Sequence, residues 1–183
     1  MSETKISYLQ SVWNPVVGGC PGCEAHCWAK ALHDMRHKAH LAGKKIPPQY
    51  AKPWSELQLL PERLEQPLHW KKPRRIGVCF GTDLFMPAVP EFFIFGVFNV
   101  INAAREDGLR HTFFFLTKRP ARMARLVPKI PMAPAKNVYL GVSICNQADA
   151  DKHLPHLQRL AEAGWKTWIS MEPLLGWTDI ARY

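Results

Sequence analysis

Four short apolar runs, 76–80, 112–116, 138–142 and 167–170, recur along the chain. They begin roughly 30 residues apart, which is the length of one βα unit. Each is rich in β-branched or aromatic residues and largely lacks polar alternation, the pattern of strands buried on both faces of a parallel sheet. Helix-like segments lie between them. Glu91–Arg105 follows Pro90, Ala121–Leu126 stops before Pro128, and Gln147–Ala163 stops before Gly164. An earlier strand over Ser7–Trp13 and a helix over Glu24–Leu41 complete the pattern. Residues 42–72 read as a proline-containing insertion with one short helix around 61–66.

The expected fold is α/β, a single domain over residues 1–183, built as an incomplete (β/α) barrel of about five parallel strands. A complete eight-stranded barrel needs at least ~200 residues, more than the 183 present. A doubly wound sheet is the structural alternative. No apolar run reaches the ~18 residues of a membrane helix. Met1–Gln10 has no signal-peptide core, so a cytoplasmic location with no membrane partner is expected.

The chain carries 24 Lys and Arg against 15 Asp and Glu, a net charge of +9. Such a balance favours anionic partners, with nucleotides and nucleic acid foremost. The cations concentrate in Lys71-Lys72-Pro73-Arg74-Arg75 and in a second zone with Arg36, Lys38, Lys44 and Lys45 beside His33, His37 and His40. Trp28, Trp54 and Trp70 read as packing residues before base-stacking platforms.

In parallel α/β folds the chemistry gathers at the carboxyl ends of the strands. The residues predicted there are Asn14 and the cysteines after the first strand, Thr82 and Asp83 after the second, and Thr117, Lys118 and Arg119 after the third. Ser143, Asn146 and Gln147 follow the fourth, and Glu172 the fifth. Thr117 and Asn146 are also good helix caps. Asp83, Lys118 and Glu172 are costly to bury without a partner, and Asp83, Lys118 and Arg119 are the candidates to face a substrate. The loop 128–136 at the opposite edge reads as proline-rich and chemically plain.

The five cysteines are an odd number in a chain without an export signal, which argues against a disulfide framework. Cys79 and Cys145 sit singly in apolar surroundings and read as core thiols. Cys20, Cys23 and Cys27 follow Gly18-Gly19 with spacing C-x2-C-x3-C. Thiolates this close can converge on one metal centre. Zinc would need a fourth ligand, for which His26 or His33 is available. An iron–sulfur cluster on three cysteines would keep one iron open. No GxGxxG, P-loop, HExxH or GxSxG pattern is present.

Three cysteines after the first strand of a partial barrel resemble the radical S-adenosylmethionine superfamily. That resemblance implies a [4Fe–4S] cluster on Cys20, Cys23 and Cys27, with S-adenosylmethionine on the open iron. More closely, the chain resembles a phage- and bacteria-encoded family of unknown function with a three-cysteine motif. The matching segments run in order along the chain: Trp13-Asn14-Pro15-Val16, Pro21-Gly22-Cys23, Cys27-Trp28-Ala29, Pro61-Glu62-Arg63-Leu64, Lys72-Pro73-Arg74-Arg75, Asp83-Leu84-Phe85, Leu116-Thr117-Lys118-Arg119-Pro120, Leu140-Gly141-Val142-Ser143, Asn146-Gln147 and Glu172-Pro173-Leu174-Leu175-Gly176. The spacing departs from the superfamily's C-x3-C-x2-C, and that family continues past the Glu-Pro-Leu-Leu-Gly segment with a further strand. A partner, or a second copy forming a homo-oligomer, is therefore expected to cover an open sheet edge.

These readings give three functions. The first is a radical-SAM-like iron–sulfur enzyme acting on an anionic substrate, with Ser143, Asn146, Gln147 and Glu172 as polar contacts to cofactor or substrate. The second is a zinc-stabilised nucleic-acid-binding protein without catalysis. The third is a degenerate, non-catalytic barrel.

Overall fold

The structure is a computed structural model that describes residues 4–21 and 27–183. The elements run β1 (Ser11–Trp13), β2 (Val16–Val17), α1 (Trp28–Leu41), β3 (Gln58–Leu59), β4 (Arg75–Val78), α2 (Glu91–Glu106), β5 (Thr112–Thr117), α3 (Pro120–Leu126), β6 (Val138–Ser143), α4 (Gln147–Glu162) and β7 (Lys166–Ser170). Five strands form one sheet in the order β1-β4-β5-β6-β7, and every neighbouring pair is parallel. The fold is thus α/β around a five-stranded parallel sheet. The order follows the chain without reversal, so the sheet has no topological switch point of the doubly wound kind.

The sheet's first face is covered. Phe113 and Phe115 on β5 are buried, and Phe98 of α2 stacks on Phe115 at 4.8 Å between ring centroids. α2 presents Phe93, Ile94, Val97, Phe98, Ile101 and Ala104 to this core, a helical repeat of three and four residues. The second face departs from the expectation of strands buried on both sides. On β5 the residues alternate between half-buried and buried. Aromatic rings tile the half-buried face: Phe114 stacks on Tyr139 at 4.8 Å and meets Trp168 edge-on, while Tyr8 closes on both Phe114 and Trp168. The apolar runs lack polar alternation because this face holds rings in place of polar groups.

Gly141 makes the tiling possible. A Cβ there would lie 2.3 Å from Trp168 Nε1 and 2.7 Å from the Phe115 carbonyl oxygen. The indole instead donates across the gap to that carbonyl at 3.0 Å.

Several boundaries differ from the sequence reading. β1 begins at Ser11, because Ile6–Leu9 forms a turn (Leu9 N–H to Ile6 carbonyl, 3.0 Å) that buries Leu9 against the sheet near Gly77. β4 ends at Val78, because Cys79 takes φ 56° and turns the chain. The expected start of α1 at Glu24 lies outside the described residues, and the described helix begins at Trp28. In the insertion the expected short helix is two 3-10 turns, Pro61–Arg63 and Gln66–His69. The first opens on Pro61 and the second carries Pro67 in second place, and a proline supplies no N–H to a preceding hydrogen-bond run.

Candidate functional site

Because the strands are parallel, all their carboxyl ends share one edge. The insertion reaches that edge and builds a cradle for the cysteine segment. β3 pairs antiparallel with β2, Val16 opposite Leu59 and Val17 opposite Gln58. Beyond β2 the chain turns at Gly18 (φ 72°) and Gly19 (φ 68°). This left-handed backbone favours glycine, and close approach requires it as well: a Cβ on Gly18 would lie 2.4 Å from the Glu56 carbonyl oxygen. Gly19 N–H donates to the Trp54 carbonyl at 2.6 Å, and the Trp54 indole donates back to the Cys20 carbonyl at 3.2 Å. From the β4 end, the Thr82 hydroxyl donates to the Gly18 carbonyl at 2.9 Å. Gly81 N–H donates to Asn14 Oδ1 at 3.2 Å.

Cys20 is half-buried at the rim of a cleft of about 370 Å³ lined by Lys30, Asp34, Pro53 and Trp54 among others. Cys27 is the N-cap of α1, its sulfur accepting from Lys30 N–H at 3.4 Å. Burial, and then the Asp83 charge, push the Cys20 thiol above its ordinary range; Arg119 opposes this, and Cys27 adds to it. Cys23 and His26 lie outside the described residues. His33 is buried with Nε2 2.9 Å from the Lys52 carbonyl, between the rings of Tyr50 and Trp54. Among the described residues no group of three His, Cys, Asp or Glu side chains gathers as a metal site.

Asp83, Thr117, Lys118 and Arg119 come together as one network. Asp83 is 6% exposed. It accepts from the Thr117 hydroxyl at 2.8 and 2.9 Å, from Phe85 N–H at 2.9 Å, from Lys118 N–H at 3.1 Å and from Arg119 Nη1 at 2.9 Å. Thr117 also accepts from Arg119 N–H at 2.8 Å, so it organises the β5 end without capping α3. Arg119 continues outward: Nη1 lies 3.8 Å from Cys20 Sγ, and Nη2 donates to the Pro21 carbonyl at 3.1 Å. Burial works against the Arg119 charge, but Asp83 and Cys20 outweigh it and hold the guanidinium protonated. A buried carboxylate thus aims a cation at the first cysteine.

The chain matches the model of one protein family, "Protein of unknown function (DUF5131)", over residues 3–182. It belongs to the DUF5131 family. No curated protein matches it, and no solved structure does.

The remaining site candidates of this DUF5131 chain divide into two groups. Asn146 is the N-cap of α4, accepting from Asp149 N–H at 2.9 Å. Gln147 holds the C-terminal segment, donating to the Asp179 carbonyl at 3.3 Å and accepting from Asp179 N–H at 2.7 Å. Ser143 is buried, and its hydroxyl donates to the Glu172 carbonyl at 3.4 Å. The Glu172 side chain is exposed, and it adds to burial in raising the Tyr8 hydroxyl's pKa.

Sequence reasoning missed one pairing. Lys118 Nζ lies 3.2 Å from Cys145 Sγ, and Cys145 N–H donates to Asp149 at 2.9 Å. Lys118 reads from sequence as a strand-end residue and Cys145 as a core thiol, and only the adjacency of β5 and β6 brings them together. Cys79 is a core thiol as expected: complete burial pushes it up to about 12. No helix among the described residues is long and apolar enough to cross a membrane.

Proposed function

We propose that this DUF5131 protein is an iron–sulfur enzyme of radical-SAM type, built on an open arc of a (β/α) barrel. Cys20, Cys23 and Cys27 would hold a [4Fe–4S] cluster, whose open iron takes S-adenosylmethionine. The observation that carries this reading is Arg119 reaching from the end of β5 to Cys20 while anchored by buried Asp83. A thiol at the rim of a cleft, with a fixed cation beside it, suits a thiolate-bound cluster of net negative charge. The sequential strand order supports the arc, since a barrel adds its units in chain order.

The donor set fits the group. Cys20 and Cys27 flank the segment that carries Cys23, and each already accepts or approaches an N–H donor. A bound cluster with S-adenosylmethionine supplies one-electron chemistry at this edge. The chain's own residues hold and screen it. Asp83 and Thr117 fix Arg119, and the β2–β3 ribbon fixes the glycine turn. Ser143 and Glu172 are the polar groups proposed to meet cofactor or substrate, and Lys118 to face the substrate. Asn146 and Gln147 support them by holding α4 and the following segment.

The test is metal and acid-labile sulfide analysis with an absorption spectrum on protein purified without oxygen. About four iron and four sulfide per chain, with absorbance near ~400 nm, is the expected result. About one zinc and no iron would replace this reading with a zinc-stabilised, non-catalytic one.

A further inference from the structure

The edge opposite the cysteines carries a different chemistry. Parallel strands place all their first residues together, and a cation precedes or opens each of the last four. Lys71, Lys72 and Arg75 lead into β4, Arg110 into β5, Lys136 into β6, and Lys166 opens β7. The register pairs Arg75 with Thr112, Phe113 with Val138, and Tyr139 with Lys166. Arg110 and Lys136 thus fall within two residues before the level of Arg75, while Lys166 lies beyond it and donates to the Tyr139 hydroxyl at 3.1 Å. All six are exposed. None takes part in the ion pairs found among the described residues. The acids at this edge are fewer: Glu106 and Asp107 at the end of α2, and Glu162 at the end of α4. A cleft of about 480 Å³ opens between the starts of β5 and β6, with Arg105, Arg110 and Asn137 on its walls. The loop 128–136, read from sequence as plain, contributes Lys129 and Lys136 to this side.

We infer that the strand-start edge is a docking face for the phosphate backbone of nucleic acid, separate from the cysteine-bearing edge. Adjacent strands lie about 4.8 Å apart, so the starts of β4 to β7 span about 15 Å. That distance covers about four phosphates along one strand of a helix. Lysine and arginine side chains with an amide between them are the groups that contact phosphate without reading sequence. An anionic lipid surface is the less suitable partner, because membrane-binding faces set apolar side chains beside the cations. The large exposed apolar side chains of these units, Phe92, Leu174, Leu175 and Trp177, belong to the carboxyl edge. The basic run is therefore assigned to holding a polymer, not to neutralising a small substrate at the cysteines. This assignment stands whether or not a cluster is bound.

The test is fluorescence anisotropy with a labelled 20-nucleotide DNA, single-stranded and duplex, over a salt series. Wild type should bind, with a log–log salt slope of about −3 to −4, as four neutralised phosphates require. The variant Lys72→Glu/Arg110→Glu/Lys136→Glu should lose at least about 30-fold in affinity and flatten the slope by about 2–3 units. Lys38→Glu/Lys44→Glu/Lys45→Glu, the same change in net charge in the other basic zone, should lose less than about 3-fold. Circular dichroism and thermal melts of both variants establish that they are folded. Three results would overturn the inference: no binding by wild type at low salt, equal losses in the two variants, or binding to phosphatidylserine vesicles without binding to DNA.

Discussion

The two edges of one parallel sheet use charge in opposite ways. At the carboxyl edge Asp83 and Arg119 are drawn into the protein, paired at 2.9 Å and tied to Thr117 and to backbone N–H groups. At the starting edge Lys71, Lys72, Arg75 and Arg110 stand in solvent. A charge that is fixed and partly desolvated acts strongly on one neighbour, here Cys20. Mobile charges in water act weakly on any neighbour and collectively on a polyanion. Net charge read from composition merges these two roles, and the fold separates them.

The contrast predicts unequal costs for mutation. Asp83→Ala would strand the Arg119 cation and leave the Thr117 hydroxyl without its acceptor. Urea unfolding should show a loss of about 3–5 kcal/mol, whereas Lys71→Ala should stay within about 0.5 kcal/mol. Equal effects at the two sites would erase the distinction. The next largest effect concerns cluster loading and rests on the proposed function. Arg119→Gln should lower iron occupancy about tenfold in a chelator competition, and Arg119→Lys should restore part of it. Lys72→Glu should leave occupancy unchanged. If wild type takes up no iron, the enzyme reading fails; if Arg119→Gln loads normally, only the role of Arg119 fails.

A third prediction follows from Cys79, whose thiol sits near 12 in the fold against an ordinary value of 9.0. Its folded value is raised, so its contribution to stability is complete below about pH 9 and is lost as pH rises toward about 12. The unfolded chain releases this proton first. Wild-type stability should therefore fall with pH in that window more steeply than that of Cys79→Ala, by up to about 1.4 kcal/mol per pH unit. Parallel slopes would show that Cys79 is not sealed from water. The smallest effect is expected from Asn146→Ala, a cap loss of about 1 kcal/mol that leaves the cysteine edge intact. Thermal melts read it directly.

Four strands of the main sheet were readable because each is a dense apolar run, and α2 because six buried side chains recur at helical spacing. The β2–β3 ribbon was not, because two-residue strands carry no periodicity to detect. The insertion's role as a cradle for Cys20 was hidden for a related reason. Trp54 and Glu56 meet Gly18 and Gly19 only after the chain closes a long loop, and no local pattern marks such a contact. Asp83, Lys118 and Arg119 were identifiable as strand-end residues, yet their division of labour depends on rotamers that sequence does not express. The cations at the strand starts were visible as a run in Lys71–Arg75. Their nearness to Arg110 and Lys136 required the register.

The helix capped by Cys27 buries only His33, while α2 buries six side chains. Its attachment runs mainly through the turn Pro48–Tyr50, which Arg36 and His37 contact. In hydrogen-exchange terms, α1 should open as an outer unit at lower free energy than the sheet and α2. Cys20 lies on the sheet-anchored side of that boundary, and Cys27 on the helix. Any ligand joining the two thiols would fasten the outer unit to the inner one, and slower amide exchange along α1 would record its arrival.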